Sequence, residues 1–188
     1  MPFYKKATIS IMRAFIAVDI SEPLRAKIAE IQRILPPDAK LVERENLHVT
    51  LKFLGKISED QAVDIKSRMS DIAKQFSPID LHIRGMGAFP NLSYIRVVWL
   101  GCNALAALQK AVNMALPEFP EERETRPHLT IARIRSGKNI ANLARFIEEN
   151  QDIDIGKMAV KEFCLKKSEL TPHGPVYEDV GVFGLGKA

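Results

Sequence analysis

The chain has 188 residues, 46% hydrophobic and 27% charged, enough for one domain or two small lobes to bury a core, and a composition that excludes disorder, collagen-like repetition and a long coiled coil. Its 27 lysines and arginines against 23 acidic residues give a net charge of +4, a mild excess that favours anionic partners without specifying nucleic acid. Cys102 and Cys164 form no CxxC pair, which excludes a zinc ribbon or disulfide framework and points to a reducing, cytoplasmic compartment, while no apolar run approaches the ~20 residues of a membrane-spanning helix.

Residues 1–12, MPFYKKATISIM, read as an N-terminal extension: they are basic but lack the apolar core and cleavage site of a signal peptide, and Met12 offers a second start. Residues 13–188 read as a single two-lobed domain. A β-branched run over 13–20 predicts a strand, ended by Ser21-Glu22-Pro23, where Ser21 is placed to cap a helix. Leu24, Ile28, Ile31 and Leu35 recur at helical spacing until Pro36-Pro37. Residues 47–54 alternate, with Leu47, Val49, Leu51 and Phe53 on one face and His48, Thr50 and Lys52 on the other, and Gly55 ends the run. A helix follows over about 59–75, started by Ser58, with Ala62, Ile65, Met69 and Ile72 as its buried stripe.

Strands are predicted over 79–84 and 94–100, separated by the turn-rich Gly85 to Asn91. A helix over about 103–116 stops at Pro117, and after the charged segment 118–126 a second alternating strand occupies 127–134. The remainder predicts a helix over about 139–150, a strand over about 157–165, a loop over 170–175 and a last strand over 176–182.

Strand, helix, polar loop and His-x-Thr strand occur twice in order. His128 follows His48 at an offset of 80 residues, and the same offset carries Ala17-Val18 onto Val97-Val98 and Pro37 onto Pro117. Few identities survive between the copies, so the repetition is one of residue class; it predicts two related lobes. Within each copy, residues i and i+2 of a strand share a face, so His48 with Thr50, and His128 with Thr130, present an imidazole beside a hydroxyl. If the lobes face each other, the four groups line one cleft. Two imidazoles flanking a phosphodiester suit in-line displacement, one protonating the departing oxygen and the other taking a proton from water, while the threonine hydroxyls donate to non-bridging oxygens. No metal is required, and no HExxH or clustered Asp/His pattern supplies a third ligand.

His48-Val49-Thr50-Leu51-Lys52-Phe53-Leu54-Gly55 and Arg126-Pro127-His128-Leu129-Thr130-Ile131-Ala132-Arg133 resemble the paired motifs of the RNA 2′,3′-cyclic phosphodiesterases, also called 2′-5′ RNA ligases, in the two-histidine phosphoesterase superfamily. The resemblance extends from Arg13-Ala14-Phe15-Ile16-Ala17 through Gly87 to Asn91 and on to Leu170 to Tyr177. It implies an α+β, bilobal fold of two pseudo-symmetric lobes, with antiparallel sheets flanking a central cleft and helices outside. It also implies hydrolysis of RNA terminal 2′,3′-cyclic phosphates to 2′-phosphomonoesters, with His48 as proton donor, His128 as proton acceptor and Thr50 and Thr130 on the phosphate. No cofactor is implied. The implied partners are RNA ends carrying a 2′,3′-cyclic phosphate, tRNA fragments being one candidate source, met by a monomer away from membranes.

Two further cations are candidate substrate-binding residues. Lys52 shares the predicted face of His48 and Thr50; Arg133 falls by strict alternation on the face of Leu129 and Ile131, so that a bulge or strong twist is needed to bring it to the phosphate. His82 and His173 lack a threonine partner and read as structural or surface residues. Phe89, Tyr94, Trp99 and Tyr177 could stack a base, although Tyr94 and Trp99 fall in an apolar strand and read first as core. The competing readings are the ligase direction, in which an RNA 5′-hydroxyl replaces water, and an RNA-end binding module without chemistry. Water at ~55 M favours hydrolysis over ligation, and pure phosphate binding is better served by arginine than by two titrating imidazoles.

Overall fold

Alternating apolar and polar residues form strands that bury one side, and here the two His-x-Thr strands supply the middle of the molecule. The computed structural model describes residues 10–35, 39–120, 126–135, 140–172 and 174–186. In chain order the elements are β1 (Ile11–Asp19), α1 (Glu22–Gln32), β2 (Ala39–Leu41), β3 (His48–Ser58), α2 (Glu59–Ala73), β4 (Ile79–Arg84), β5 (Met86–Asn91), β6 (Tyr94–Gly101), α3 (Ala106–Ala115), β7 (His128–Ile134), α4 (Ile140–Glu149), β8 (Asp154–Val160), β9 (Glu162–Thr171) and β10 (Gly174–Gly184). Residues 1–9 of the expected extension, Pro36-Pro37 and His173 lie outside the described residues, whereas Ile11 and Met12 already belong to β1, opposite Ser58 and Ile57.

The main sheet is antiparallel, in the order β10-β9-β1-β3-β7-β6-β5, with β2 added alongside β7; β4 and β8 form a separate pair. The motif strands β3 and β7 sit at its centre and are joined at Val49 opposite Leu129. Either side of that junction lies one lobe, β10-β9-β1-β3 or β7-β6-β5. The expected α+β architecture of two related antiparallel halves is thus observed.

The helices cover the back of the sheet with the stripes their spacing predicts: Leu24, Ile28 and Ile31 on α1, Ala62, Ile65, Met69 and Ile72 on α2, Leu108 and Val112 on α3, and Leu143 and Ile147 on α4. They meet Val49, Leu51, Leu129 and Ile131, all fully buried, in one continuous core. Fully burying each such side chain contributes about 1.5–3 kcal/mol, so the back face of β3 and β7 fixes which face is left for chemistry. At the start of α2, Ser58 and Gln61 form a reciprocal capping box, with bonds of 3.2 and 2.9 Å. Ser21 occupies the corresponding position before α1, but its side chain makes no capping bond.

Four expectations are corrected. β3 runs on past Gly55, expected as its end, to Ser58, paired with β1 throughout. The segment 85–91, expected as a turn, contains β5, paired with β6 from Met86 opposite Leu100 to Asn91 opposite Tyr94. Its Gly87 marks a close approach: a Cβ there would lie 2.3 Å from the Trp99 ring. The strand expected over 157–165 is two strands that change sheet near Lys161: β8 pairs with β4, and β9 with β1 and β10. Both are buried in part, so the apolar signal runs across the corner. Finally, the repeat carries a gap. Asp19 lies opposite His48 and Gly101 opposite His128, so the first strands are two residues further apart than the motifs, and Ala17, opposite Thr50, corresponds to Trp99 rather than to Val97.

Candidate active site

Both motif strands carry the same irregularity three residues after the histidine. In β3 the register steps from Ala17 opposite Thr50 to Ile16 opposite Lys52, leaving Leu51 as an extra residue; in β7 it steps from Trp99 opposite Thr130 to Val98 opposite Ala132, leaving Ile131. Each is a β-bulge, which reverses the parity of the side chains that follow it, in β3 as far as a second bulge at Leu54. Arg133 is thereby turned to the cleft, where it lines the same cavity as His128 and Thr130. The condition set by its alternation is met.

The same device overturns the placement of Lys52. The Leu51 bulge sends Lys52 to the back of the sheet, where it is 3% exposed and donates from Nζ to Asn113 Oδ1 of α3 at 3.0 Å. It is not among the residues lining the cleft, so the expected phosphate contact from Lys52 is not made from this position. The residue brought forward in its stead is Phe53, 66% exposed and on the cleft wall, at the position in β3 that Arg133 holds in β7. Strict alternation puts Phe53 in the core, so its role is not legible without the bulge.

His48, Thr50, His128 and Thr130 line one open cleft of about 780 Å³. Each imidazole is fixed in the same way. His48 Nδ1 lies 2.7 Å from the Asn46 carbonyl and His128 Nδ1 2.8 Å from the Arg126 carbonyl, in each case two residues upstream. A carbonyl only accepts, so Nδ1–H donates and Nε2 is left for the cleft. The turn that presents the Asn46 carbonyl is tied down by its side chain, whose Nδ2 donates to Pro175 O at 3.0 Å. Phe15 (4.9 Å between ring centroids) and Tyr177 (5.3 Å, edge-on) pack on His48, and Phe89 (4.9 Å, edge-on) packs on His128 with Trp99 beyond it at 6.4 Å.

These apolar walls set the protonation of the site. Burial is the largest influence on His48 and lowers its pKa to about 4, against the opposing carbonyl bond from Asn46 and the Asp19 charge, with Lys166 and Arg133 lowering it further. His128 is lowered by the same cause, opposed by its bond to Arg126 and reinforced by Arg133. Both rings are therefore neutral near pH 7, and an anion entering between them supplies the charge that favours a proton on one.

Other candidates fall outside this arrangement. His82 Nε2 pairs with Asp154 Oδ1 at 2.8 Å on the β4–β8 pair, a structural contact as expected. Tyr94 stands exposed at the β5–β6 turn with the Arg96 guanidinium 4.7 Å above its ring, and does not line the cleft. Asp19, Cys164 and Asp179 have ligand atoms within 4.8 Å of one another. Lys166 Nζ bonds both carboxylates, at 2.9 and 2.6 Å, and burial pushes the Cys164 thiol up to about 12. An ammonium thus already holds the place a cation would take.

A family model described as LigT-like phosphoesterase matches residues 18–99 and 102–177. The chain is 43% identical to an RNA 2′,3′-cyclic phosphodiesterase of Methanothermobacter thermautotrophicus, over 93% of this chain and 99% of that protein. It is 41% identical to a protein of the same description from Methanocaldococcus jannaschii, over 89% and 97%. Among solved structures, the TT0787 protein of Thermus thermophilus matches with a TM-score of 0.80 at 29% identity, covering 93% of this chain and 98% of that one. Escherichia coli LigT complexed with 3′-AMP matches with a TM-score of 0.78 at 24% identity, over 94% and 99%, a likeness of fold.

Proposed function

The chain belongs to the LigT-like phosphoesterase family, and we propose that it hydrolyses RNA ends bearing a 2′,3′-cyclic phosphate to 2′-phosphomonoesters without a metal. The observation that carries the reading is the pair of His-x-Thr strands meeting at Val49 and Leu129, with both Nε2 atoms free to face one cleft. A cyclic phosphate lying between the two imidazoles has water on one side and the 3′ oxygen on the other. His128 Nε2 takes a proton from the water as its oxygen bonds to phosphorus, the P–O3′ bond breaks, and His48 Nε2 gives its proton to O3′. The 2′ oxygen keeps the phosphate. Thr50 and Thr130 donate to the non-bridging oxygens, and the Arg133 guanidinium balances their charge. Phe53 offers an exposed ring to the terminal base.

The two archaeal relatives are RNA 2′,3′-cyclic phosphodiesterases, which supports the same substrate here. The test is incubation of the protein in EDTA with a short RNA ending in a 2′,3′-cyclic phosphate, followed by identification of the terminal group. A 2′-phosphate made by the wild type, and by neither His48→Ala nor His128→Ala, is the expected result. Activity that disappears in EDTA and returns with zinc overturns the metal-free mechanism. A joined product with a 5′-hydroxyl RNA and no hydrolysis points to ligation instead.

A further inference from the structure

The two His-x-Thr strands are near copies, and nothing within the tripeptides tells one histidine from the other. The strand opposite each histidine does. Asp19 is the register partner of His48, whereas Gly101 is the register partner of His128. Gly101 has no latitude to be anything else: a Cβ there would lie 2.5 Å from the Arg84 carbonyl oxygen, which is backbone and cannot yield. One lobe therefore places a carboxylate beside its histidine, and the other lobe is sterically barred from doing so.

Asp19 is also held in place. Its Oδ2 accepts from Lys166 Nζ at 2.9 Å, and the same ammonium, with its side chain 8% exposed, bonds Asp179 Oδ1 at 2.6 Å. Arg25 approaches the other oxygen of Asp19 at 3.9 Å. A second cavity of about 360 Å³ opens between this cluster and the rear of His48, so the two share one polar space. The charged and titratable groups around His48 are Asp19 on β1, Lys166 on β9, Asp179 and Tyr177 on β10, Arg133 on β7, Arg25 on α1, and Glu43 and Glu45 in the turn before β3. Asp19 is the carboxylate among them whose field acts to favour the imidazolium.

We propose that Asp19, fixed by Lys166, is a positioning residue that holds the reaction's proton on His48, and that the neutral Gly101 leaves His128 to act as the acceptor. A carboxylate near a ring that apolar neighbours have desolvated acts in a low dielectric, where a charge is felt more strongly than in water. An anionic phosphate between the two rings favours protonation of both. Asp19 adds to that effect on one side alone, so the symmetry of the motifs is broken behind them, not within them. The inference rests on the phosphodiesterase reading for its consequence in catalysis, but the proton placement can be measured without turnover.

The experiment titrates the imidazoles of His48 and His128 by NMR in protein saturated with inorganic phosphate, for wild type, Asp19→Asn and Asp179→Asn. Asp179→Asn is the control for charge, since it neutralises the other carboxylate bonded to the same ammonium without touching the one opposite His48. The expected result is that His48 releases its proton at lower pH in Asp19→Asn, His128 is unmoved, and Asp179→Asn leaves His48 close to wild type. In rate measurements the alkaline limb of kcat moves down in Asp19→Asn, a shift of one pH unit reading as about a tenfold loss of kcat above the limb. An unchanged His48 titration in Asp19→Asn, an equal shift in Asp179→Asn, or a loss of kcat that is uniform with pH overturns the proposal. A wild type with no hydrolytic activity overturns the phosphodiesterase reading instead, and the NMR shifts still decide the placement of the proton.

Discussion

The two bulges decide which cation faces the cleft, Arg133 of β7 and not Lys52 of β3. Arg133 projects into the cleft, so Arg133→Gln is expected to lower kcat/KM by about ten- to a hundredfold, the worth of a charge-assisted hydrogen bond of about 1.5–3 kcal/mol, while the melting temperature barely moves. Lys52 lies on the back of the sheet against Asn113. Lys52→Gln is expected to do the reverse, lowering stability by about 1–3 kcal/mol with kcat/KM kept within about threefold. Thermal melts and initial rates on both variants check the pair, and a large kinetic defect in Lys52→Gln with an unchanged melt would return that residue to the site. The histidines and threonines were legible because period-two spacing over so short a stretch survives any later bulge; residues beyond position three of each motif were not.

At the scale of the element, the bulge itself needs support, and in β7 it has a visible one. The Ile131 carbonyl accepts from Val42 N at 3.0 Å and from Gln32 Nε2 at 2.8 Å, and the same Gln32 nitrogen also donates to Val42 O at 2.9 Å. Gln32 is buried at the end of α1. A helix side chain thus clamps the irregular peptide of a strand 99 residues away in sequence, something no local pattern reveals. Replacing it with leucine leaves buried polar groups short of partners, at about 1–3 kcal/mol. Gln32→Leu is therefore expected to lower the melting temperature and to weaken phosphate binding as Arg133 loses its aim. Isothermal titration with inorganic phosphate reads the second effect, and unchanged affinity would show that the bulge stands without Gln32. The helices, with their stripes, were legible as elements; β5 was not, because Gly87 and Pro90 in its sequence signal a turn while its hydrogen bonds are supplied by β6.

For the whole molecule, burying two imidazoles in the cleft links stability to pH. His48 takes up a proton at about 4 when folded, against its ordinary 6.5. The unfolded chain therefore binds the proton first as pH falls, and stability that is fully present above about 6.5 is lost on the way down to about 4. His128, lowered for the same reason, adds to the loss in the same direction. Melting curves across that window are expected to fall less steeply for His48→Gln than for wild type, since glutamine cannot titrate; equal slopes would mean that the cleft wall does not desolvate the ring. The junction of the two lobes at Val49 and Leu129 explains why both residues are fully buried and why their chain neighbours, His48, Thr50, His128 and Thr130, line one cleft.

Spacing along the chain specifies the periodic features: the helices with their apolar stripes, the two motif strands, a strand-helix-strand unit that occurs twice, and an imidazole beside a hydroxyl on one face at the end of each copy. These follow from local geometry, because spacing along one strand or helix dictates what shares a face. The remaining features come from how the strands pair across the fold. That pairing placed the two motif strands side by side, turned Arg133 and Phe53 forward and Lys52 back through paired bulges, and set Asp19 against one histidine and Gly101 against the other. Those outcomes depend on register between strands far apart in sequence, where one inserted residue reverses a face, and that register is set by which buried residues and carbonyls meet across the folded core.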